Sequence, residues 1–154
     1  MVKTIDLTIN GEKWTTDVEP NDVLLDVVRE KLGVKSPKCG CERGDCGSCT
    51  VLLDGRTVRS CLVLAIEADG HEIITVEGLG KDGPTPLQKK LVEHNSFQCG
   101  FCAPGVVLTA TELLGKSPNP GEEEIKEALA GNLCRCTGYT SIIEAVQAVN
   151  GKGE

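Results

Sequence analysis

The residues best equipped for chemistry are the cysteines, nine in a chain of 154 residues. One group reads Cys41-x4-Cys46-x2-Cys49, with Cys61 twelve positions further on. Thiolates are soft ligands that favour zinc, copper(I) and iron–sulfur clusters, and the order C-x4-C-x2-C…C is the plant-type [2Fe–2S] pattern. The intervening residues suit such a cluster. Thiolate and sulfide leave it with net negative charge, which a buried site offsets with backbone N–H donors. Gly40, Gly44 and Gly47 let a loop wrap closely and turn those donors inward. Arg43 adds a positive charge that Asp45 partly cancels. The alternative is zinc, but its structural sites usually pair two short C-x2-C knuckles, and a four-residue gap fits that less well.

A second group reads Cys99-Gly100-Phe101-Cys102, followed 31 intervening residues later by Cys134-Arg135-Cys136. By spacing alone, C-x2-C…C-x-C admits zinc as readily as a cluster. Cys99 and Cys102 precede a helix opened by Pro104, whose N-terminus directs partial positive charge at the thiolates. A Rieske centre is excluded, because it needs two histidine ligands and no Cys-x-His occurs. A thioredoxin-type pair lacks its strand–CxxC–helix setting. Cys39 falls outside the spacing and reads as a free thiol rather than a reserve ligand.

These cysteines must be held by something, and the composition narrows the choice. The net charge of −7 argues against nucleic acid and against an anionic membrane surface. No apolar run has the length of a membrane span. The start, Met1-Val2-Lys3-Thr4-Ile5-Asp6-Leu7, alternates apolar with polar residues, unlike a signal peptide. The expected location is the cytoplasm, where clustered cysteines bind metal more often than they pair as disulfides. Aromatic residues make up only 3% of the chain, so small domains here need a staple, and bound metal is a common one.

The pattern predicts an α+β chain of two domains. Residues 1–77 read as a β-rich unit. Ile5, Leu7 and Ile9 alternate with polar residues before an Asn10-Gly11 turn, and a second hairpin turns at Asp54-Gly55. Residues 73–77 can add a strand, and Val23 to Leu32 carries an apolar helical face. Residues 78–84 are rich in breakers and form the linker. Residues 85–154 switch to four short helices: from Thr85–Pro86 to about His94, from Pro104 to Gly115, over 121–130, and from Ser141 to Val149.

Taken together, two motif sets resemble a known family. Gly40-Cys41-Glu42-Arg43-Gly44-Asp45-Cys46-Gly47-Ser48-Cys49-Thr50-Val51 and Ser60-Cys61-Leu62 resemble the N-terminal cluster motif of the molybdenum hydroxylases, the xanthine dehydrogenase/aldehyde oxidoreductase/carbon monoxide dehydrogenase group. Gln98-Cys99-Gly100-Phe101-Cys102-Ala103-Pro104-Gly105 and Gly131-Asn132-Leu133-Cys134-Arg135-Cys136-Thr137-Gly138-Tyr139 resemble its second motif pair. The resemblance implies the small iron–sulfur subunit: a β-grasp ferredoxin-like domain, then a four-helix bundle, each with one [2Fe–2S] cluster. It implies Cys41, Cys46, Cys49 and Cys61 on the first cluster and Cys99, Cys102, Cys134 and Cys136 on the second. Gln98 and Cys136 are implied to lie against molybdopterin. The implied partners are a large molybdopterin subunit and a medium FAD subunit. Electrons would run from molybdenum through the helical-domain cluster and the ferredoxin-type cluster to FAD or another acceptor.

No nucleophile–base pair, phosphate-binding loop or paired carboxylate motif appears, so no substrate site is expected on this chain. Two other classes compete with the electron-relay subunit: a freely diffusing two-cluster ferredoxin and a zinc-bound scaffold. Visible absorption separates the zinc protein from the others.

Overall fold

The computed structural model describes residues 1–150; residues 151–154, the end of the second expected domain, lie outside the described residues. Alternating Ile5, Leu7 and Ile9 place one buried face on strand β1 (Lys3–Ile9). The Asn10-Gly11 turn returns the chain as β2 (Glu12–Val18), paired antiparallel with Leu7 opposite Trp14. A short helix, α1 (Leu24–Asp26), continues as a wider π-type turn over Val27–Lys31. The expected helix is therefore present with mixed winding. Strands β3 (Thr50–Leu53) and β4 (Arg56–Arg59) form the second hairpin.

Among the described residues these strands and β5 (Glu72–Ile74) make a five-stranded sheet of order β2-β1-β5-β3-β4. Parallel pairing of β1 with β5 puts the first and last strands at its centre. Leu24, Val27 and Val28 pack across it against Ile5, Leu7, Ile9, Val51 and Ile73, which is the β-grasp arrangement. The strand expected over 73–77 ends at Ile74. Thr75 is buried, and the Asn10 side chain takes over its pairing, accepting from the Thr75 N–H and donating to its hydroxyl, both at 2.9 Å. A 3₁₀ turn, Val76–Gly78, then leaves the sheet.

The second half is helical: α2 (Pro86–Glu93), α3 (Ala103–Lys116), α4 (Glu122–Leu129) and α5 (Thr140–Ala148). Thr85 and Gln88 form a reciprocal capping box at α2, with Pro86 at its first position. α3 passes through Gly115 and ends one residue later than expected. Gly115 does not take the left-handed conformation that closes a helix, and Ser117 supplies the extended exit instead. Leu87, Leu91, Val106, Val107, Ala110, Ile125, Leu129, Ile142, Ala145 and Val146 close a second core. Among the described residues no helix is long and apolar enough to cross a membrane.

Candidate metal centres

The first cysteine group lies on the loop between α1 and β3 and just past β4. Gly44 and Gly47 hold positive φ there, and backbone N–H groups turn towards sulfur. The N–H groups of Arg43 and Cys46 both reach Cys41 Sγ at 3.4 Å. With these donors, led by that of Cys46, the Cys41 thiol is drawn down to about 7. Cys61 sits in a 3₁₀ turn, Ser60–Leu62, after β4, where burial pushes its thiol up to about 11. The expected contribution of Arg43 is small, because its guanidinium is exposed and paired with Asp45 at 3.4 Å.

The second group surrounds the start of α3. Cys102 is the residue before its first turn, and Cys134 and Cys136 lie on the loop between α4 and α5. The helix N-terminus was expected to favour both nearby thiolates, but the two thiols differ. The Phe101 backbone N–H draws Cys99 down, whereas burial dominates at Cys102 and pushes it up to about 12.

The sulfurs gather in pairs. Cys49 and Cys61 Sγ are 3.4 Å apart, Cys99 and Cys136 3.6 Å. The Cys46 thiol acts on Cys41, and the Cys134 thiol on Cys102, so these are neighbours as well. Two thiolates on one tetrahedral ion with metal–sulfur bonds of about 2.3 Å sit ~3.8 Å apart, so the Cys49–Cys61 and Cys99–Cys136 pairs are each spaced to hold one metal. Among the described residues no three His, Cys, Asp or Glu side chains gather around a single ion position. Two pairs per domain suit a binuclear cluster with two thiolates on each iron.

Comparison with known proteins agrees. A family model described as a 2Fe-2S iron-sulfur cluster binding domain matches residues 7–75, and one described as a [2Fe-2S] binding domain matches 75–147. The chain is 50% identical over 145 residues to the nicotinate dehydrogenase small FeS subunit of Eubacterium barkeri, covering 94% of this chain and 92% of that one. It is 49% identical over 142 residues to the nicotine 6-hydroxylase small subunit of Paenarthrobacter nicotinovorans, covering 92% and 86%. The crystal structure of quinoline 2-oxidoreductase from Pseudomonas putida 86 contains a chain that superimposes with a TM-score of 0.93 at 46% identity, over 96% of this chain and 91% of that one.

The chain belongs to the small iron–sulfur subunits of the molybdenum hydroxylase family. It is the electron-transfer subunit of a multi-subunit oxidoreductase with larger partners, and the zinc scaffold and the free ferredoxin give way to that assignment.

In this subunit Gln98 lies beside Cys136, donating through Nε2 to its carbonyl at 3.0 Å, and both residues are exposed. Cys39 is exposed, and its thiol donates to Glu42 at 3.0 Å. That hydrogen bond, with burial and the Glu42 charge adding to it, pushes Cys39 up to about 11.

Sequence reasoning missed Tyr139 as a support of the second centre. Its hydroxyl accepts from the Cys134 N–H at 2.7 Å and donates to the Asn132 carbonyl at 2.9 Å. Its backbone holds φ +70°, left-handed for a bulky residue, a conformation kept only where surrounding bonds enforce it. Arg59, Thr109 and Asn132 were also missed. They join the two cysteine loops, and no local spacing in the sequence marks such a role.

Proposed function

We propose that Cys41, Cys46, Cys49 and Cys61 hold one [2Fe–2S] cluster and that Cys99, Cys102, Cys134 and Cys136 hold the other, within domains spanning residues 1–77 and 85–154 joined by 78–84. The pairing of thiols, at 3.4 and 3.6 Å where the distances are direct, carries this reading. When bound, the clusters supply one-electron redox chemistry that links a molybdopterin site on the large subunit to FAD on a medium subunit. Gln98 and Cys136 face the pterin. Their mutual hydrogen bond fixes one exposed edge of the helical centre through Nε2, and the Gln98 Oε1 acceptor, which has no donor among the described residues, meets the pterin. Exposed Leu62, Phe101 and Leu133 flank Cys61, Cys102 and Cys134 and give a partner subunit apolar surface close to the thiols. The proposed location is the cytoplasm, where clustered cysteines bind metal more often than they pair as disulfides. Nicotine, nicotinate and quinoline, named in three relatives, are nitrogen heteroaromatics, so that class is the first to assay on the holoenzyme.

The test is an iron and acid-labile sulfide count on the intact complex, expected at four of each for this subunit. Two irons, or zinc in either domain, would overturn the ligand assignment. Direction is tested by substrate reduction of two variants in the complex. Cys102→Ser should leave molybdenum reducible with the ferredoxin-type cluster and flavin oxidised. Cys46→Ser should let reduction reach the helical cluster and no further. Native-speed reduction of the ferredoxin-type cluster in the Cys102 variant would reverse the order.

A further inference from the structure

Asn132 is 1% exposed and lies between the two cysteine-bearing loops. Its Nδ2 donates to the Gly47 carbonyl at 3.2 Å and to the Thr50 hydroxyl at 3.3 Å, while its Oδ1 accepts from the Thr109 hydroxyl of α3 at 2.9 Å. One residue on, the Leu133 N–H donates to the Cys46 carbonyl at 2.8 Å. Arg59 closes the same seam, donating to the Thr50 hydroxyl at 2.8 Å and to the Gly131 carbonyl at 2.7 Å.

Three residues of this seam adjoin a cysteine. Gly47 follows Cys46, Thr50 follows Cys49, and Leu133 precedes Cys134. The approach is close enough to exclude side chains. A Cβ on Gly47, where φ is +74°, would overlap the Gly131 carbonyl oxygen, and one on Gly105 would overlap that of Gly47. A buried amide that loses its partners incurs the full desolvation cost, so the bonds of Asn132 tolerate little relative movement of the loops.

We propose that Asn132 is a positioning residue that locks the Cys46–Cys49 loop onto the Cys134–Cys136 loop, so that the Leu133 N–H···O=C Cys46 bond is a fixed short link between the two centres. This rests on the ligand assignment above. The transfer it serves moves one electron, oxidising one centre and reducing the other, and no bond forms or breaks.

The test is low-temperature electron paramagnetic resonance on the fully reduced holo-complex, in which two nearby paramagnetic clusters split each other's lines. Asn132→Ala and Arg59→Ala are both prepared, so that failure of one to assemble leaves the other. The expected result is four irons and four sulfides, unchanged g values for each centre, and a reduced or absent intercluster splitting. A purely structural role would not give that signature. Undiminished splitting with both clusters present overturns the proposal, as does cluster loss in both variants or a native complex with four irons and no splitting. Fewer than four irons in the native subunit would instead overturn the ligand assignment.

Discussion

Two kinds of cysteine environment coexist in each centre. Cys41 and Cys99 meet backbone N–H donors and are drawn down, whereas Cys61 and Cys102 are buried and pushed up. Serine keeps the size of cysteine but is a hard ligand poorly matched to iron–sulfur chemistry. Cys46→Ser is therefore expected to halve the iron content from four to two and to retain the helical centre's paramagnetic signal. Gln98 belongs to this scale too. Gln98→Ala removes the donor to the Cys136 carbonyl without touching a sulfur. Iron content should stay at four while reduction by the molybdenum site slows, which stopped-flow absorbance on the complex reads.

Among the helices, α2 shows how local signals and packing divide the work. Thr85 and Pro86 mark its start in the sequence, and the structure adds the reciprocal bond: Thr85 accepts from the Gln88 N–H at 3.2 Å and the Gln88 side chain accepts from the Thr85 N–H at 2.8 Å. Thr85→Ala should cost about 1 kcal/mol of stability in denaturant titration. Packing contributes more than the cap. Ile125 of α4 is completely buried in the helical core, and Ile125→Ala should cost about 2–5 kcal/mol by the same measurement. α1 marks the limit of reading elements from pattern. Its apolar spacing located the buried face, yet the winding changes to π-type at Val27, where Val27 and Val28 are buried in the sheet's core.

At the scale of the whole molecule, polar contacts stitch the two halves, and among the described residues their apolar cores are separate. Glu112 of α3 is one stitch, accepting from the Thr57 N–H of β4 at 2.9 Å. Burial acts to raise its carboxyl, but Lys116 at 2.5 Å and the bonds to Thr57 outweigh that and hold it below the usual carboxylate range. A depressed carboxylate contributes stability above its unfolded value of about 4.3, and the contribution is lost as pH falls through the folded value. Native-state hydrogen exchange at the Thr57 amide should accelerate, relative to its intrinsic rate, only as pH is lowered below about 4.3 and through the depressed folded value. Glu112→Gln should show the faster relative exchange already at neutral pH.

The sequence by itself determined the chemistry and the element types. Eight cysteines carry their spacing in the chain, the Asn10-Gly11 and Asp54-Gly55 turns announce their hairpins, and Thr85-Pro86 announces a helix start. Such signals are local, fixed by the conformational limits of a few adjacent residues. What the tertiary structure decided is long-range. It set which thiols pair, the early end of β5 at the Asn10 clasp, and burial's dominance over the helix terminus at Cys102. It also brought Asn132 against Gly47, 85 residues away. Contacts over such separations depend on how two finished domains meet, and the hydrogen bonds and close glycine approaches that fix that meeting leave no periodic trace along the chain.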